Sequence, residues 1–113
     1  MGQTLRRDKI FTCNVGILNE CSWEFVPPAG SEITITGFRG SCSSKEDTEI
    51  QLIWDYEGAN EEPLLTSQSP FDYGRLDIHR FGDGTKKLAI VLKNQTLNAE
   101  IMTAILECIE ENS

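Results

Sequence analysis

Residues 98–111, NAEIMTAILECIEE, are the stretch on which the fold turns, because they fit two periodicities. Ile101, Ala104, Ile105, Cys108 and Ile109 recur at helical spacing, and Ala, Glu, Met and Leu favour helices. Read as a strand, the same residues split into an apolar row of Met102, Ala104, Leu106 and Cys108 and a β-branched row of Ile101, Thr103, Ile105 and Ile109. A helix here would place Glu110 and Glu111 at its negative end with no basic residue to offset them. The strand is preferred, because the chain before it alternates with period two. A C-terminal helix remains the alternative.

Working back from that stretch, 49–56 alternates most clearly, with Ile50, Leu52, Trp54 and Tyr56 on one side and Gln51, Ile53 and Asp55 on the other. Residues 10–18 put Phe11, Cys13, Val15 and Ile17 on one face. Residues 22–26 do the same with Trp23 and Phe25, until Pro27-Pro28 removes two backbone donors. Residues 32–38 alternate Ile33 and Ile35 with Thr34 and Thr36, then meet Gly37 and Gly40, which mark a bulge or bend. Residues 75–81 and 86–93 read as a hairpin over Gly82–Gly84, with Ile78 opposite Leu88, Leu76 opposite Ile90 and Gly84 left-handed. The final strand is then expected to pair with 86–93 through the 94–98 turn, as a meander. The expectation is all-β: one antiparallel β-sandwich or jelly-roll-like domain over 10–113, preceded by a flexible basic arm, 1–9, carrying Arg6, Arg7 and Lys9.

Composition narrows the function. Ten basic and eighteen acidic residues give a net charge of −8, which repels a phosphate backbone, so nucleic acid is not an expected partner. No apolar run approaches a membrane span and no secretory leader is evident, so no membrane partner is expected and the location is read as virion or cytoplasmic. Cys13, Cys21, Cys42 and Cys108 show no Cys-x-x-Cys spacing and sit far in sequence from His79, the one histidine; no metal and no cofactor are expected. A Cys13–Cys21 bridge stays open, although the lack of an export signal favours free thiols.

No catalytic motif emerges. His79 reads as a sheet-face residue, with no Gly-x-Ser-x-Gly elbow anywhere. The acidic stretch Glu46, Asp47, Glu49, Asp55, Glu57, Glu61 and Glu62 lacks EF-hand spacing and reads as a solvated edge. Asn94-Gln95-Thr96 matches a glycosylation acceptor but reads as a turn. Aromatic Trp54, Tyr56 and Tyr73 offer candidate faces for a glycan, whereas Ala89 and Val91 give the 86–93 strand a second apolar side that suggests an interface.

Two runs, TEIQLIWDYEG over 48–58 and GDGTKKLAIVLKN over 82–94, resemble segments of small β-sandwich accessory proteins of tailed-phage virions. They cover about a fifth of the chain. The resemblance implies a structural part in a head, neck or tail, self-association into a trimer or ring, contacts with other structural proteins and no chemistry. The sequence-level expectation is therefore a non-catalytic, self-associating interaction module, with a carbohydrate-binding sandwich as the alternative.

Overall fold

The computed structural model describes residues 2–43, 48–68 and 70–112, and within them every regular element is a strand. In chain order these are β1 (Gln3–Arg6), β2 (Lys9–Val15), β3 (Glu20–Phe25), β4 (Ser31–Cys42), β5 (Thr48–Trp54), β6 (Glu62–Ser67), β7 (Phe71–Tyr73), β8 (Ile78–Phe81), β9 (Leu88–Asn94) and β10 (Glu100–Asn112). The large sheet runs β1-β10-β4-β7, with β2 sharing β1's side of β10 and β8 sharing β7's side of β4; the small sheet runs β3-β9-β5-β6. All pairings are antiparallel, and the two sheets form a β-sandwich.

The C-terminal stretch is strand, not helix. Met102, Ala104, Leu106 and Cys108 are fully buried, while the β-branched row faces outward. Across the interlayer space they meet Ile50, Leu52 and Trp54 of β5 and Leu88, Ile90 and Leu92 of β9. On β4, Gly37 marks a bulge as the sequence suggested: Glu107 faces Gly37 but Cys108 faces Ile35, leaving Thr36 as the extra residue. The bulge reverses the phase of β4, so Ile33 and Ile35 point inward before it and Phe38 and Gly40 after it. Gly40 has no room for a Cβ, because the Phe71 ring and Ile50 fill that space.

The expected meander does not form. β8 pairs with β4, placing Ile78 opposite Ile35 rather than Leu88. β9 lies in the other sheet, with one edge on β3 and the other on β5. Its inward row Leu88, Ile90 and Leu92 is flanked by Phe25, Trp23 and Cys21, an apolar match that a short β8 cannot offer. β10 likewise belongs to the large sheet, so 82–87 and 95–99 cross between layers.

Each crossover is zipped to its neighbour. Gly82 N–H donates to Ser31 O (2.9 Å) and Gly84 N–H to Pro27 O (3.3 Å), joining 82–87 to the β3–β4 connection. A Cβ on Gly82 would sit 2.6 Å from Pro28 O, so this approach requires glycine. Gly84 is left-handed, φ 85°, as expected, although it turns between sheets instead of within a hairpin. At the opposite end Asn94, 1% exposed, donates from Nδ2 to Val15 O, Gly16 O and Asn98 O and accepts from the Thr96 N–H and hydroxyl. The glycosylation-like triplet is a turn whose asparagine amide is wholly engaged.

Asp83 closes the 82–87 crossover by accepting from Lys86 N–H (2.9 Å), Thr85 N–H (2.8 Å) and the Thr85 hydroxyl (2.8 Å). These donors, led by the Lys86 amide, hold its carboxyl at about 2, well below the ordinary 3.8. A depressed carboxylate stabilises the fold above the unfolded value, and that contribution disappears as pH falls through the folded one. Thermal unfolding followed by circular dichroism is expected to show wild-type midpoints dropping between pH 3.8 and about 2, and Asp83→Asn flattening that part of the profile.

Two expectations about the N-terminal third change. Residues 3–6 form β1, in register with Ile109–Asn112 of β10, so this part of the expected arm is a sheet strand. Lys9 opens β2 and ends with its ammonium 5.7 Å above the Trp23 ring. Cys13 and Cys21 form a disulfide, which staples β2 of the large sheet to β3 of the small one. Closing so short a loop removes roughly 2–3 kcal/mol of unfolded-chain entropy. Burial pushes the Cys108 thiol up to about 12, which keeps it protonated.

Candidate interaction surfaces

The aromatics offered as candidate glycan faces, Trp54, Tyr56 and Tyr73, are dispersed. Trp54 lies in the inward row with Ile50 and Leu52 and is 5% exposed, so it offers no face to a ligand. Tyr73 is at the far edge of the large sheet, 39% exposed, with its ring 5.5 Å from that of Phe71. Tyr56 does not continue the inward row of β5. The strand ends at Trp54, and Asp55 takes a left-handed conformation (φ 56°) that sends Tyr56 to the outer face of the small sheet. Glu57 is also left-handed (φ 63°). Two such non-glycine residues cost on the order of 1–2 kcal/mol each, so the turn is strained on both sides of one tyrosine.

That strain is held by local bonds. Tyr56 N–H donates to Lys87 O (3.2 Å), Gly58 N–H to Asp55 O (2.9 Å), Asn60 N–H to Asp55 Oδ2 (3.1 Å) and Glu57 N–H to Glu61 Oε2 (2.7 Å). The Tyr56 phenol is turned toward Ser22, whose cross-strand partner is Val91, and Val91 lines the same cleft as Tyr56. Burial, with help from Glu57, Glu20 and Glu24, raises its ionisation above the usual value despite Ser22, and the phenol stays neutral. Beside the ring is a cleft of about 160 Å³ lined by Gln51, Ile53, Val91, Pro63, Lys93 and the carboxylates of Glu20 and Glu61.

Ala89 and Val91, expected to face a partner, are 0% and 1% exposed within the single chain. Their apolarity serves an internal surface, and Val91 is floor to the Tyr56 cleft. The apolar surface open to a partner is elsewhere. On the outer face of the large sheet, Ile10 (67% exposed) and Ile101 (57%) stand with Thr12, Asn14, Thr103 and Ile105 in adjacent registers of β2 and β10. Ser41 and Arg39 of β4 continue the rows, and Arg39 is held at the margin by Asp72 (3.0 Å) and Glu107. Arg39, Gly40, Ser41, Thr103 and Ile105 enclose a depression of about 160 Å³. The β-branched row of 101–109 was the sequence signal for this stripe. A second apolar patch, Ile17, Leu18 and Leu97, caps one end of the sandwich, joined by the Leu18 N–H to Thr96 O bond (3.3 Å).

His79 is an outward residue of β8. One ring nitrogen meets the Thr34 hydroxyl (3.0 Å), the other Asp77 (2.5 Å), with Glu32 3.6 Å away. A hydroxyl, an imidazole and a carboxylate thus lie in line, but on an open sheet face. β4 is paired on both sides here, with β8 and with β10, so the ladders occupy the amides that would otherwise stabilise an oxyanion. Among the described residues, no group of three or more His, Cys, Asp or Glu side chains is placed to hold a metal, and no helix is long and apolar enough to cross a membrane. Glu46 and Asp47 of the acidic stretch lie outside the described residues.

No protein-family model matches this chain, and no curated protein matches it. Among solved structures it is similar to the core of Drosophila NLP, whose structure is described in terms of pentamer formation and histone binding, with a TM-score of 0.45 and 8% identity over 88% of this chain and 96% of that one. It is also similar to a de novo designed double-stranded β-helix (TM-score 0.37, 20% identity, 89% of this chain and 97% of that one). A third is the CBM36-1 domain of a multidomain xylanase from the hindgut metagenome of Trinervitermes trinervoides (TM-score 0.35, 15% identity, 95% and 98%). At these scores the likeness carries nothing about binding or assembly across to this chain.

Proposed function

We propose that this protein is a non-catalytic interaction module that self-associates through the outer face of its large sheet. The observation that carries the reading is the uncharged aliphatic stripe of Ile10, Ile101 and Ile105 with Thr12, Asn14 and Thr103. A chain of net charge −8 repels its own copies, so a contact between copies needs a surface from which carboxylates are missing. The stripe is such a surface, and its exposed isoleucines match the apolar centre of a protein contact. A two-fold dimer needs this stripe alone, whereas a trimer or ring needs a second, different surface, for which the Ile17, Leu18 and Leu97 patch is suited. The resemblance of 48–58 and 82–94 to accessory proteins of tailed-phage virions supports placing the assembly in a particle's head, neck or tail.

Light scattering coupled to size exclusion, over a protein-concentration series, tests this. The wild type is expected above monomer mass, and Ile101→Glu, which puts a carboxylate into each side of the contact, is expected to return it to monomer with unchanged circular dichroism. Leu97→Glu separates the geometries: a ring opens, a two-fold dimer stays intact. A wild type that is monomeric at high micromolar concentration overturns the proposal. The sugar-binding alternative concerns the other sheet.

A further inference from the structure

We infer that the cleft beneath Tyr56 on the outer face of the small sheet binds the ring of a neutral pyranose sugar. A sugar ring has a C–H face and an equatorial belt of hydroxyls that both donate and accept. The cleft is divided the same way. Tyr56 and Pro63 supply the apolar part, above the buried Ile53 and Val91, while Gln51, Lys93, Glu20 and Glu61 supply donors and acceptors around it. Its volume of about 160 Å³ suits one ring.

Three further features favour this occupant. Tyr56 is held before any ligand arrives, by its own N–H on Lys87 O and by the braced turn between Asp55 and Glu61. A ring set in advance loses little freedom on stacking. Among the described residues the Gln51 amide is tethered by one long bond, to the Thr66 hydroxyl (3.4 Å), so it can turn to a ligand hydroxyl. The charge around the cleft selects against acids: Glu20, Glu24, Glu57 and Glu61 outnumber the nearby cations, Lys87 bridging Glu24 (3.3 Å) and Glu57 (3.5 Å) and Lys93 standing in register between Glu20 and Glu49. A uronic acid or phosphate would meet net negative potential, and a neutral hexose would not.

This site shares no residue with the stripe on the large sheet, so the two proposals fail separately: one is read from mass, the other from amide shifts. The ¹⁵N-labelled full-length chain is titrated with methyl β-glucopyranoside, N-acetylglucosamine and glucuronate. Saturable shifts confined to Gln51, Tyr56, Lys93 and their neighbours are expected with one or both neutral sugars and not with glucuronate. Tyr56→Ala is expected to weaken binding at least about tenfold, while Tyr73→Ala, on the other sheet, leaves it unchanged. Should Tyr56→Ala lose its fold, Gln51→Ala reads the same cleft from a strand position that keeps the ring. Absence of saturable shifts with both neutral sugars overturns the inference. So does binding that survives both Tyr56→Ala and Gln51→Ala, or glucuronate binding as tightly as glucoside.

Discussion

Phe38→Ala is expected to lower the unfolding free energy by about 4 kcal/mol and the melting midpoint by roughly 15 °C. Phe38 is fully buried, packs its ring at a tilt against that of Phe71 with centroids 5.3 Å apart, and lies between Leu106 of β10 and Tyr73 of β7 in the sheet. Truncation therefore removes a large apolar surface and leaves a cavity that rigid neighbours on three strands cannot close. The loss should also reach Phe71, which holds the short β7 against β4 and has its other ring contact in Tyr73. Phe38→Leu, which keeps most of the volume, is expected to recover more than half of the stability. Denaturant titration of the two variants checks both figures. A Phe38→Ala cost below about 1 kcal/mol would mean that the β4 bulge does not aim this residue into the core.

Arg7→Ala is expected to cost about 3 kcal/mol, far beyond the usual effect of changing a charged residue near a chain terminus. Its guanidinium Nε donates to Glu110 Oε1 at 3.1 Å, and the Glu110 side chain is 1% exposed. The same guanidinium stands 5.6 Å from the centre of the Phe25 ring, across the open side of the sandwich. Removing it strands a buried carboxylate and uncovers an aromatic. Because Arg7 itself is 42% exposed, the effect belongs at the lower end of the range for breaking a buried pair. Adding Glu110→Gln to Arg7→Ala should return a good part of the loss, since the uncompensated charge is then gone. Chemical denaturation of the two single variants and the double variant gives the coupling. An Arg7→Ala protein as stable as wild type would restore the reading of this segment as a solvated arm.

The two variants mark where sequence reasoning reached and where it stopped. Phe38 was legible in part: Gly37 signalled a bulge, and a bulge reverses inward and outward beyond it. Arg7 was not, because its importance depends on Glu110, more than a hundred residues away, being turned inward at the end of β10. Tyr56 failed differently. Strict alternation put it beside Trp54, but a left-handed aspartate, which no period describes, sent it to the opposite face. Ala89 and Val91 were correctly seen as a second apolar side, yet the surface they face is covered from within the chain.

Period-two alternation and the placement of Pro and Gly were enough to determine an all-β chain, most of its strands and most of the residues that turn inward, because burial on a pleated strand is largely a local property of side-chain order. The strand character of 98–111 was decided this way. Which strand lies beside which was left to tertiary structure. A hairpin between 75–81 and 86–93 satisfied every local rule and did not form, since both edges of β9 find better apolar partners in β3 and β5, and the crossovers at each end are locked by bonds between distant loops. The same holds for the surfaces: the Tyr56 cleft and the isoleucine stripe each gather residues from separate strands, and only the packing of the two sheets settles which apolar side chains are covered and which stay open to a partner.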